Sequence, residues 1–460
     1  MTALELAARI HSGETSALEV LEATLQAVAQ KAPKLNCLTD TTAERARREA
    51  AAIDEKRQAG VALPPLAGVP YVAKNLFDIR GVTTLAGAKM NEKNPKAAAD
   101  AFLVRKMHAA GAVLVGASSM DENAYGFTCE NTHYGPTRNP HDLSRVSGGS
   151  SGGSAAAVGG GLVPLALGSD TSGSIRVPAS FCGIFGLKPT YGRLSRGGSA
   201  PFVDSLDHVG PFATTVADLA ACYDALQGKD SVHACAQREP EPVGGELTLP
   251  TGTRIGVLEG WFHDWAGEAA RRSLAIAAKA LDAHDGCVWR GAEAARGAAF
   301  IITGCEGGAL HRPKLLTRYE EFEPASRDRL VAGSLIPAEW LIRAQRVRRL
   351  AYEEALQLFE RFDLLLAPAA PVPAPVIGTE TLLLNGREVP TRASLGVLTQ
   401  PISCIGLPAC TAPVWPAGAF DMCVGVQLIA APWREQLCLA AAAELERAGV
   451  SLARGAAALN

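Results

Sequence analysis

Residues 147–178 have the sequence SGGSSGGSAAAVGGGLVPLALGSDTSGSIRVP. Two Gly/Ser-rich stretches, GGSSGG and TSGS, flank the apolar segments SAAAV and LVPLAL. The first stretch is predicted to open a short helix, and the second to follow a strand. Ser150 and Ser151 then lie near the positive end of the helix dipole. Ser174 lies beyond the carboxyl end of the strand, where open α/β sheets bind their ligands.

Three other interpretations of this stretch fit less well. A flexible Gly/Ser linker would not carry AAAV and LVPLAL, because both need burial. A phosphate-binding loop would place G-K-[ST] after its glycines, and that motif does not follow here. Gly148–Gly152 matches the G-x-S-x-G nucleophile elbow, but the polar RNPHDLSRVS stands where that elbow needs a hydrophobic strand. Two apposed loops remain the best interpretation, and the small residues of the second let backbone N–H groups converge, as an oxyanion hole requires.

Strands and helices alternate on both sides of these loops. Residues 1–60 are predicted to be helical: MTALELAARIHSGE forms an amphipathic helix and not a signal peptide, and Ser16 and Glu19 form a capping box for the next helix. From Leu66 onwards, short apolar runs alternate with helical stretches. The predicted strands are GVPYVAKNLF, AVLVGAS and RIGVLEGW, and the predicted helices are AFLVRKMHAAG and GEAARRSLAIAAKALDAHDG. The apolar run AAFIITG follows the second of these helices. The alternation predicts an α/β fold with helices on both faces of the sheet.

We expect a single domain over residues 1–460. Its N-terminal helical segment is 1–60, the core that carries both loops is 61–235, and the remainder of the sheet with the substrate pocket is 254–460. The polar Pro/Gly-rich connection between the last two is predicted to be a surface loop, because strands and helices alternate on both sides of it. LLLAPAAPVPAPVIG is rich in proline but apolar, so we expect a packed irregular segment there.

Composition narrows the class of protein. Hydrophobic residues make up 48% and charged residues 20% of the 460, and the formal net charge is −3 with both signs interspersed. These values are typical of a soluble globular protein that binds neither nucleic acid nor membrane. The eleven cysteines include no C-x-x-C pair, and the nine histidines include no H-E-x-x-H motif. We therefore expect reduced, mostly buried cysteines in a cytoplasmic protein, no cysteine nucleophile, and neither a metal nor a cofactor.

Three motifs together resemble the amidase signature family. They are GGSSGG at 148–153, D-x-x-G-S-I-R-x-P at 170–178, and the lysine of VAKNLFD, which is Lys74. The resemblance extends over essentially the whole chain, from the N-terminal helices to GVQLIAAPWRE near the end. It implies the fold of that family, a central mixed β-sheet covered by helices on both faces. It also implies hydrolysis of an amide C–N bond.

The resemblance assigns roles to individual residues. Ser174 matches the nucleophile of the family, Ser150 the bridging serine that follows a cis peptide bond, and Lys74 the general base. Other residues would form the oxyanion hole or support the network: Thr171, Ser172, Gly173 and Ser174 for the oxyanion, with Ser151 and Asp170 as supports. The family commonly has glycine where this chain has Ser172, which could add a side chain beside the oxyanion hole.

The implied chemistry places a requirement on the lysine. A serine hydroxyl is a weak nucleophile and needs a base. A lysine can act as that base only when neutral, so burial or nearby positive charge must lower the pKa of Lys74. The apolar VPYVA before it favours burial. Lys74 would then take the proton of Ser150, which takes that of Ser174, and water would resolve the acyl-enzyme.

Two groups within the family are most similar to this sequence. AYGF, ENTHYGP and SLDHVGPFA resemble enzymes that hydrolyse 1-carboxybiuret in cyanuric acid degradation, and other features resemble the glutamine-hydrolysing A subunit of tRNA-dependent amidotransferases. The glutamine-using group has an acidic residue shortly before L-x-G-L-P, whereas SLGVLTQPIS precedes CIGLP here. We therefore expect a small carboxylated amide as substrate. The alternatives are the glutamine-hydrolysing A subunit of a tRNA-dependent amidotransferase, another ureide or oxamate amidase, and, as a non-enzyme, a scaffold subunit with an inactive triad.

Candidate substrate-binding residues follow from the same resemblance. Arg348 aligns with an arginine that grips the substrate carboxylate in the glutamine-using group, although the arginines around it also fit a solvated helix face. Tyr125 and Arg176 are further candidates, and Arg176 could equally brace the nucleophile loop. His311 is a weaker candidate and fits an ordinary polar residue.

The resemblance also implies an assembly. Both related groups work with a small helical accessory subunit that wraps the large one. We therefore expect such a partner here, in a homodimer of heterodimers.

Overall fold

The computed structural model describes residues 1–232, 236, 238–244, 247–416 and 422–459. The helices are α1 Ala3–Ser12, α2 Ala17–Leu35, α3 Ala43–Gln58, α4 Phe102–Ala109, α5 Gly152–Gly159, α6 Arg176–Cys182, α7 Val216–Leu226, α8 Trp261–Asp264, α9 Glu268–Ala280, α10 Ala292–Arg318, α11 Pro324–Ser334, α12 Ala338–Arg361, α13 Thr391–Ser394, α14 Gln400–Cys404 and α15 Glu435–Arg447. The strands are β1 Leu38–Thr41, β2 Pro70–Lys74, β3 Val113–Ser118, β4 Glu130–Asn131, β5 Gly135–Pro136, β6 Leu165–Asp170, β7 Phe185–Lys188, β8 His208–Ala213, β9 Ile255–Leu258, β10 Asp285–Cys287, β11 Leu364–Pro368, β12 Thr381–Leu384, β13 Arg387–Pro390, β14 Ala409–Ala412 and β15 Val426–Ala430.

The N-terminal helices begin where side chains satisfy their first backbone N–H groups. Ser16 Oγ accepts from the Glu19 N–H at 3.0 Å, and the Glu19 carboxylate accepts from the Ser16 N–H at 2.8 Å. The predicted capping box of α2 is thus confirmed. The prediction of helix throughout residues 1–60 was wrong at Leu38–Thr41, which forms β1 and pairs antiparallel with β3. Such a short edge strand is held by its pairing partner and has little signal of its own.

One large sheet organises the chain. Its strands follow the order β1-β3-β2-β6-β8-β7-β14-β15-β11-β9-β10. β2 runs parallel to both β3 and β6, and β9 runs parallel to both β10 and β11. β8 is antiparallel to β6 and β7, and β15 is antiparallel to β14 and β11. The sheet is therefore mixed, and strands from both sides of the polar connection at 236–253 belong to it.

Both faces of the sheet are covered. Side chains alternate along a strand: in β2, Tyr71 and Ala73 belong to one buried hydrophobic cluster, whereas Val72 belongs to the other. The first cluster includes residues of α4, α7, α9 and α15, and the second includes residues of α2, α3, α5 and α6. The predicted α/β class, with helices on both faces of a mixed sheet, is confirmed.

Two local predictions need correction. AAFIITG, at 298–304, continues the predicted series but lies in the middle of α10, where Ala298, Ala299 and Ile302 face the core. A short apolar run does not by itself separate a strand from a buried helix. The Pro-rich segment is packed, as predicted, but it begins with β11, which pairs with β9 and β15. No helix among the described residues is long and apolar enough to cross a membrane.

Candidate active site

Two neighbouring strands deliver the predicted catalytic loops to one edge of the sheet. β2 ends at Lys74, and its parallel neighbour β6 ends at Asp170. Because parallel strands have their carboxyl ends at the same edge, the lysine and the loop that follows Asp170 come together there. The first Gly/Ser loop reaches this edge from the start of α5, and the Ser151 N–H donates to the Ser174 carbonyl at 3.3 Å. The structure thus brings both loops and Lys74 into one site.

Lys74 is fully buried and surrounded by serine hydroxyls. Its Nζ lies 2.7 Å from Ser150 Oγ, 3.0 Å from Ser151 Oγ and 2.8 Å from Ser169 Oγ. Burial penalises the charged ammonium and lowers the pKa of Lys74 to about 7, although the charge of Asp121 and other acids opposes the shift. The lysine can therefore be neutral near physiological pH, as a general base must be.

The first Gly/Ser loop is fixed in an uncommon backbone conformation. The peptide bond between Gly149 and Ser150 is cis, as the family resemblance implied. Ser151 Oγ donates to the Ser169 carbonyl at 3.0 Å and accepts from the Ser169 N–H at 3.2 Å. A side chain at Gly149 would collide with the Asp121 carboxylate. Ser150 therefore faces Lys74 from a loop held by both β6 and Asp121.

The second loop is held so that Ser174 faces a cavity. Thr399 Oγ1 donates to the Ser172 carbonyl at 2.7 Å, and a Cβ on Gly173, whose φ is +140°, would overlap that same hydroxyl. Thr171 Oγ1 donates to Asp207 at 2.6 Å. Within the described part of the chain, the N–H groups of Thr171, Ser172, Gly173 and Ser174 donate no hydrogen bond. They are available to stabilise an oxyanion.

Arg176 does not face the cavity, so its assignment to substrate binding was wrong. Its guanidinium is fully buried and uses all five N–H donors within the protein. Two go to Asp170 at 2.9 Å each, and the others go to Ser403, Gln427 and the Thr399 carbonyl. Burial opposes ionisation of Asp170, but the charge and hydrogen bonds of Arg176 outweigh it and hold the pKa of that carboxyl below its usual range. Arg176 thus braces the loop that carries Ser174.

The cavity beside Ser174 is narrow and carries one cation. Tyr125 and Ser172 line it together with Ser174, and so does Arg329 of α11. The remaining lining residues are Ala124, Gly126, Phe127, Thr171, Phe202, Phe300, Thr303 and Gln400. The Arg329 guanidinium carbon lies 3.7 Å from the centre of the Tyr125 ring, a cation–π contact that fixes both groups. None of these described lining residues is acidic, so the cavity favours an anion.

Arg348, in contrast, lies outside this cavity. It sits on α12, donates to the Ser205 carbonyl at 3.1 Å, and lines a separate cavity with Tyr352 and Ile405. Its predicted role in gripping substrate was therefore wrong. His311 is buried in α10 against the Phe322 ring and does not line the cavity either.

Sequence reasoning missed several residues of the site. Ser169 contacts Lys74, and it could have been found because it ends β6 beside Asp170. Arg329, Phe202 and Gln400 reach the cavity from α11, from the loop before β8 and from α14. No motif marks these three, because only tertiary packing brings them to Ser174.

The cysteines that the structure describes are free, and burial raises the pKa of most of them, to about 12 for Cys404 and Cys129. A buried thiol with a raised pKa is a poor nucleophile. Within the described ranges, no group of three His, Cys, Asp or Glu residues is arranged to hold a metal ion.

Comparisons with known proteins agree with the motifs. The Amidase family model matches residues 19–292 and 314–439. The chain is 53% identical to AtzE, the 1-carboxybiuret hydrolase component of Pseudomonas sp. (strain ADP), over 98% of this chain and 99% of that protein. It is 35% identical to the A subunit of the glutamyl-tRNA(Gln) amidotransferase of Chromohalobacter salexigens, over 97% of this chain and 96% of that protein.

A solved structure is also closely similar. It is described as "An unexpected vestigial protein complex reveals the evolutionary origins of an s-triazine catabolic enzyme". The two chains superpose with a TM-score of 0.97 at 53% identity, and the match covers 99% of this chain and 100% of the other.

Proposed function

This chain belongs to the amidase signature family, and from that premise we propose that it hydrolyses a small carboxylated amide, 1-carboxybiuret, with release of ammonia. It is a hydrolase of amide C–N bonds. The proposal for the substrate rests on one observation above all: Arg329 is the only charged group among the described residues that line the cavity beside Ser174. The 53% identity to a component of a 1-carboxybiuret hydrolase supports the same substrate.

The proposed reaction passes a proton along three residues. Neutral Lys74 accepts the proton of Ser150, which accepts the proton of Ser174, whose Oγ attacks the amide carbonyl. The N–H groups of Thr171, Ser172, Gly173 and Ser174 stabilise the oxyanion. The proton returns through Ser150 to the leaving nitrogen, and water then hydrolyses the acyl-enzyme. The Lys74–Ser150 distance of 2.7 Å and the burial of both residues support this route.

A substrate panel tests the proposal. Ammonia release should be compared for 1-carboxybiuret, biuret, malonamate, oxamate, glutamine and a simple aliphatic amide. We expect the highest kcat/KM for 1-carboxybiuret and little hydrolysis of glutamine, because no lining carboxylate is described that could hold the glutamine ammonium. Efficient glutamine hydrolysis would favour the glutamine-hydrolysing component of an amidotransferase instead. Preference for malonamate or oxamate would indicate another carboxylated-amide hydrolase.

The pH dependence tests Lys74 as the base. Since burial lowers its pKa to about 7, the reactive neutral form is depleted below that pH and predominates above it. We expect kcat/KM to rise with pH, with a midpoint near 7, and to level off on the alkaline side. The measurement is a kcat/KM profile from pH 5 to 9.5 on a substrate whose own ionisation is constant there.

A second buried lysine provides the control for that profile. Burial also lowers the pKa of Lys188 to about 7, but its Nζ donates to the Pro189 carbonyl and not to the serines. The midpoint should therefore persist in Lys188→Met. A flat profile in the wild type, or loss of the midpoint in Lys188→Met, would contradict Lys74 as the titrating base.

Arg329→Met should lower kcat/KM for an anionic substrate. A charge-assisted hydrogen bond contributes roughly 1.5–3 kcal/mol, so kcat/KM for 1-carboxybiuret should fall about ten- to a hundredfold. Neutral biuret should be affected far less, and a small neutral fluorophosphonate should still label Ser174. Arg348→Met is the matched control, because Arg348 lies outside the cavity and its removal should leave the preference for the anion unchanged. Equal losses on charged and neutral substrates would show that Arg329 acts only structurally.

We extend the proposal to the assembly and the compartment. The relatives are named as subunits, and the similar structure is described as a protein complex. We propose a homodimer of heterodimers in the cytoplasm, in which each heterodimer contains this chain and one small helical accessory subunit. Purification of the chain from its native source, followed by mass measurement of the intact assembly, would test the composition. A lone chain with full activity would contradict the need for a partner.

A further inference from the structure

One buried carboxylate joins the two elements that line the cavity opposite Ser174. Glu122 lies in the loop after β3, three residues before Tyr125, and its side chain is fully buried. Its Oε2 accepts hydrogen bonds from the Glu323 N–H at 2.9 Å and from Ser326 Oγ at 2.7 Å. Both donors stand at the start of α11, the helix that carries Arg329.

Glu122 holds the start of α11, which has no side-chain cap of its own. The residue before the helix, Glu323, makes no side-chain capping bond, and Pro324 occupies the first turn. A negative charge is favoured at this end of the helix dipole. The Glu122 carboxylate, about two hundred residues earlier in the chain, lies there and binds the Glu323 N–H and the Ser326 hydroxyl.

The charged groups around Glu122 show that its bonds to α11 are distinct from the contacts of the proposed catalytic residues. The other oxygen of Glu122 lies 3.5 Å from His133 Nε2. The Glu323 side chain faces Arg392 at 3.4 Å, and Asp121 lies 3.5 Å from the same arginine. Of these groups, Asp121 borders the first Gly/Ser loop, whereas the oxygen that holds α11 belongs to Glu122 alone. A change at Glu122 therefore acts mainly on α11.

We propose that Glu122 is a positioning residue, which holds α11 so that the Arg329 guanidinium lies on the Tyr125 ring and points its charge into the cavity. The backbone of Glu122 leads to Tyr125, and its carboxylate fixes the helix of Arg329, so one residue sets the distance between the two. This inference rests on the proposed function, because it deepens how the site binds an anion. It predicts that Glu122 affects the affinity for a carboxylate and not the reactivity of Ser174.

The test compares Glu122→Ala with Glu122→Gln in the full chain. Glutamine keeps an oxygen that can accept from the Glu323 N–H and Ser326 Oγ, whereas alanine removes both bonds. We expect Glu122→Ala to raise KM for 1-carboxybiuret about tenfold with kcat changed less than threefold, and Glu122→Gln to remain within threefold of the wild type in both. Labelling of Ser174 by a neutral fluorophosphonate should proceed at the wild-type rate in each variant.

A binding readout without turnover accompanies the kinetics. Malonate should protect wild-type Ser174 from the fluorophosphonate, and the protecting concentration should rise about tenfold in Glu122→Ala but not in Glu122→Gln. In Glu122→Ala/Arg329→Met the protection should be no weaker than in Arg329→Met alone, because both changes remove the same positioned charge. If Glu122→Ala does not fold, Ser326→Ala removes one of the two bonds from the helix side and should shift protection in the same direction by a smaller factor.

The outcomes separate this inference from the proposed function. Absence of malonate protection in the wild type, together with no preference for anionic amides, overturns both. Normal anion preference that is lost in Arg329→Met but unchanged in Glu122→Ala and Ser326→Ala overturns the inference alone. Equal effects of alanine and glutamine at Glu122, or slower labelling of Ser174, would also overturn it.

Discussion

Ser174→Ala should abolish amide hydrolysis and covalent labelling while the protein stays folded. The hydroxyl of Ser174 opens onto the cavity, and Ser174 is the serine that the D-x-x-G-S-I-R-x-P motif marks as the nucleophile. Enzymes that lose such a nucleophile retain only what binding and oxyanion stabilisation supply, so we expect kcat to fall by about 10⁴-fold or more. The measurements are ammonia release from 1-carboxybiuret and mass-detected labelling by a fluorophosphonate.

The fold should tolerate this change, because it removes one oxygen from a site that already faces open space. The thermal midpoint should shift by no more than a few degrees. Ser180→Ala is a suitable control: Ser180 is a buried serine of α6, and its Oγ accepts from the Gly425 N–H and does not face the cavity. We expect Ser180→Ala to cost stability but to remain labelled. More than a trace of turnover by purified Ser174→Ala would remove Ser174 from the mechanism.

The site residues that could be predicted from the sequence are those that lie in local motifs. Lys74, Ser150 and Ser174 each sit in a short pattern with a fixed relation to a strand end or a helix start. Because parallel strands deliver their carboxyl ends to one edge, the pattern alone implies that these residues meet. The burial that lowers the pKa of Lys74 was likewise foreseeable from the apolar residues before it.

The arginine that we propose to bind the substrate carries no sequence motif of its own. Arg329 and Arg348 lie on successive helices, α11 and α12, and each has apolar neighbours within one helical turn. Arg329 lines the cavity beside Ser174 and Arg348 lines a separate one, because α11 and α12 pack differently against the rest of the chain. Neither helix contains a sequence motif that would predict this packing. The assignment of Arg348 therefore failed for the same reason that β1 was missed: the deciding interaction is tertiary.

For Arg176, the sequence left two roles open. A guanidinium two residues after the nucleophile is compatible with either substrate binding or a structural role. Full burial with all five donors used decides for the structural role, since an arginine without free donors has nothing to offer a ligand. Sequence alone does not report whether a donor is free.

Lys74→Met and Ser150→Ala should each reduce kcat/KM by about 10²- to 10⁴-fold, the range that general-base catalysis contributes. The reason is that Lys74 Nζ lies 2.7 Å from Ser150 Oγ in a fully buried site, so either change interrupts the same proton route. Residues that act as one unit give non-additive losses. The double variant Lys74→Met/Ser150→Ala should therefore be no slower than the slower single variant, measured as kcat/KM for 1-carboxybiuret.

Lys188→Met is the matched control for this cycle, because it removes a second fully buried lysine whose pKa is also lowered to about 7 by burial. Lys188 donates to the Pro189 carbonyl and makes no bond to the serines, so its loss should reduce kcat/KM less than tenfold. Methionine is unbranched and uncharged, and it is one atom shorter than lysine, so it fills most of either buried site. If the losses at Lys74 and Ser150 multiply in the double variant, the two residues act independently and the relay is wrong. If Lys188→Met is as slow as Lys74→Met, the effect comes from removing a buried charge and not from a base.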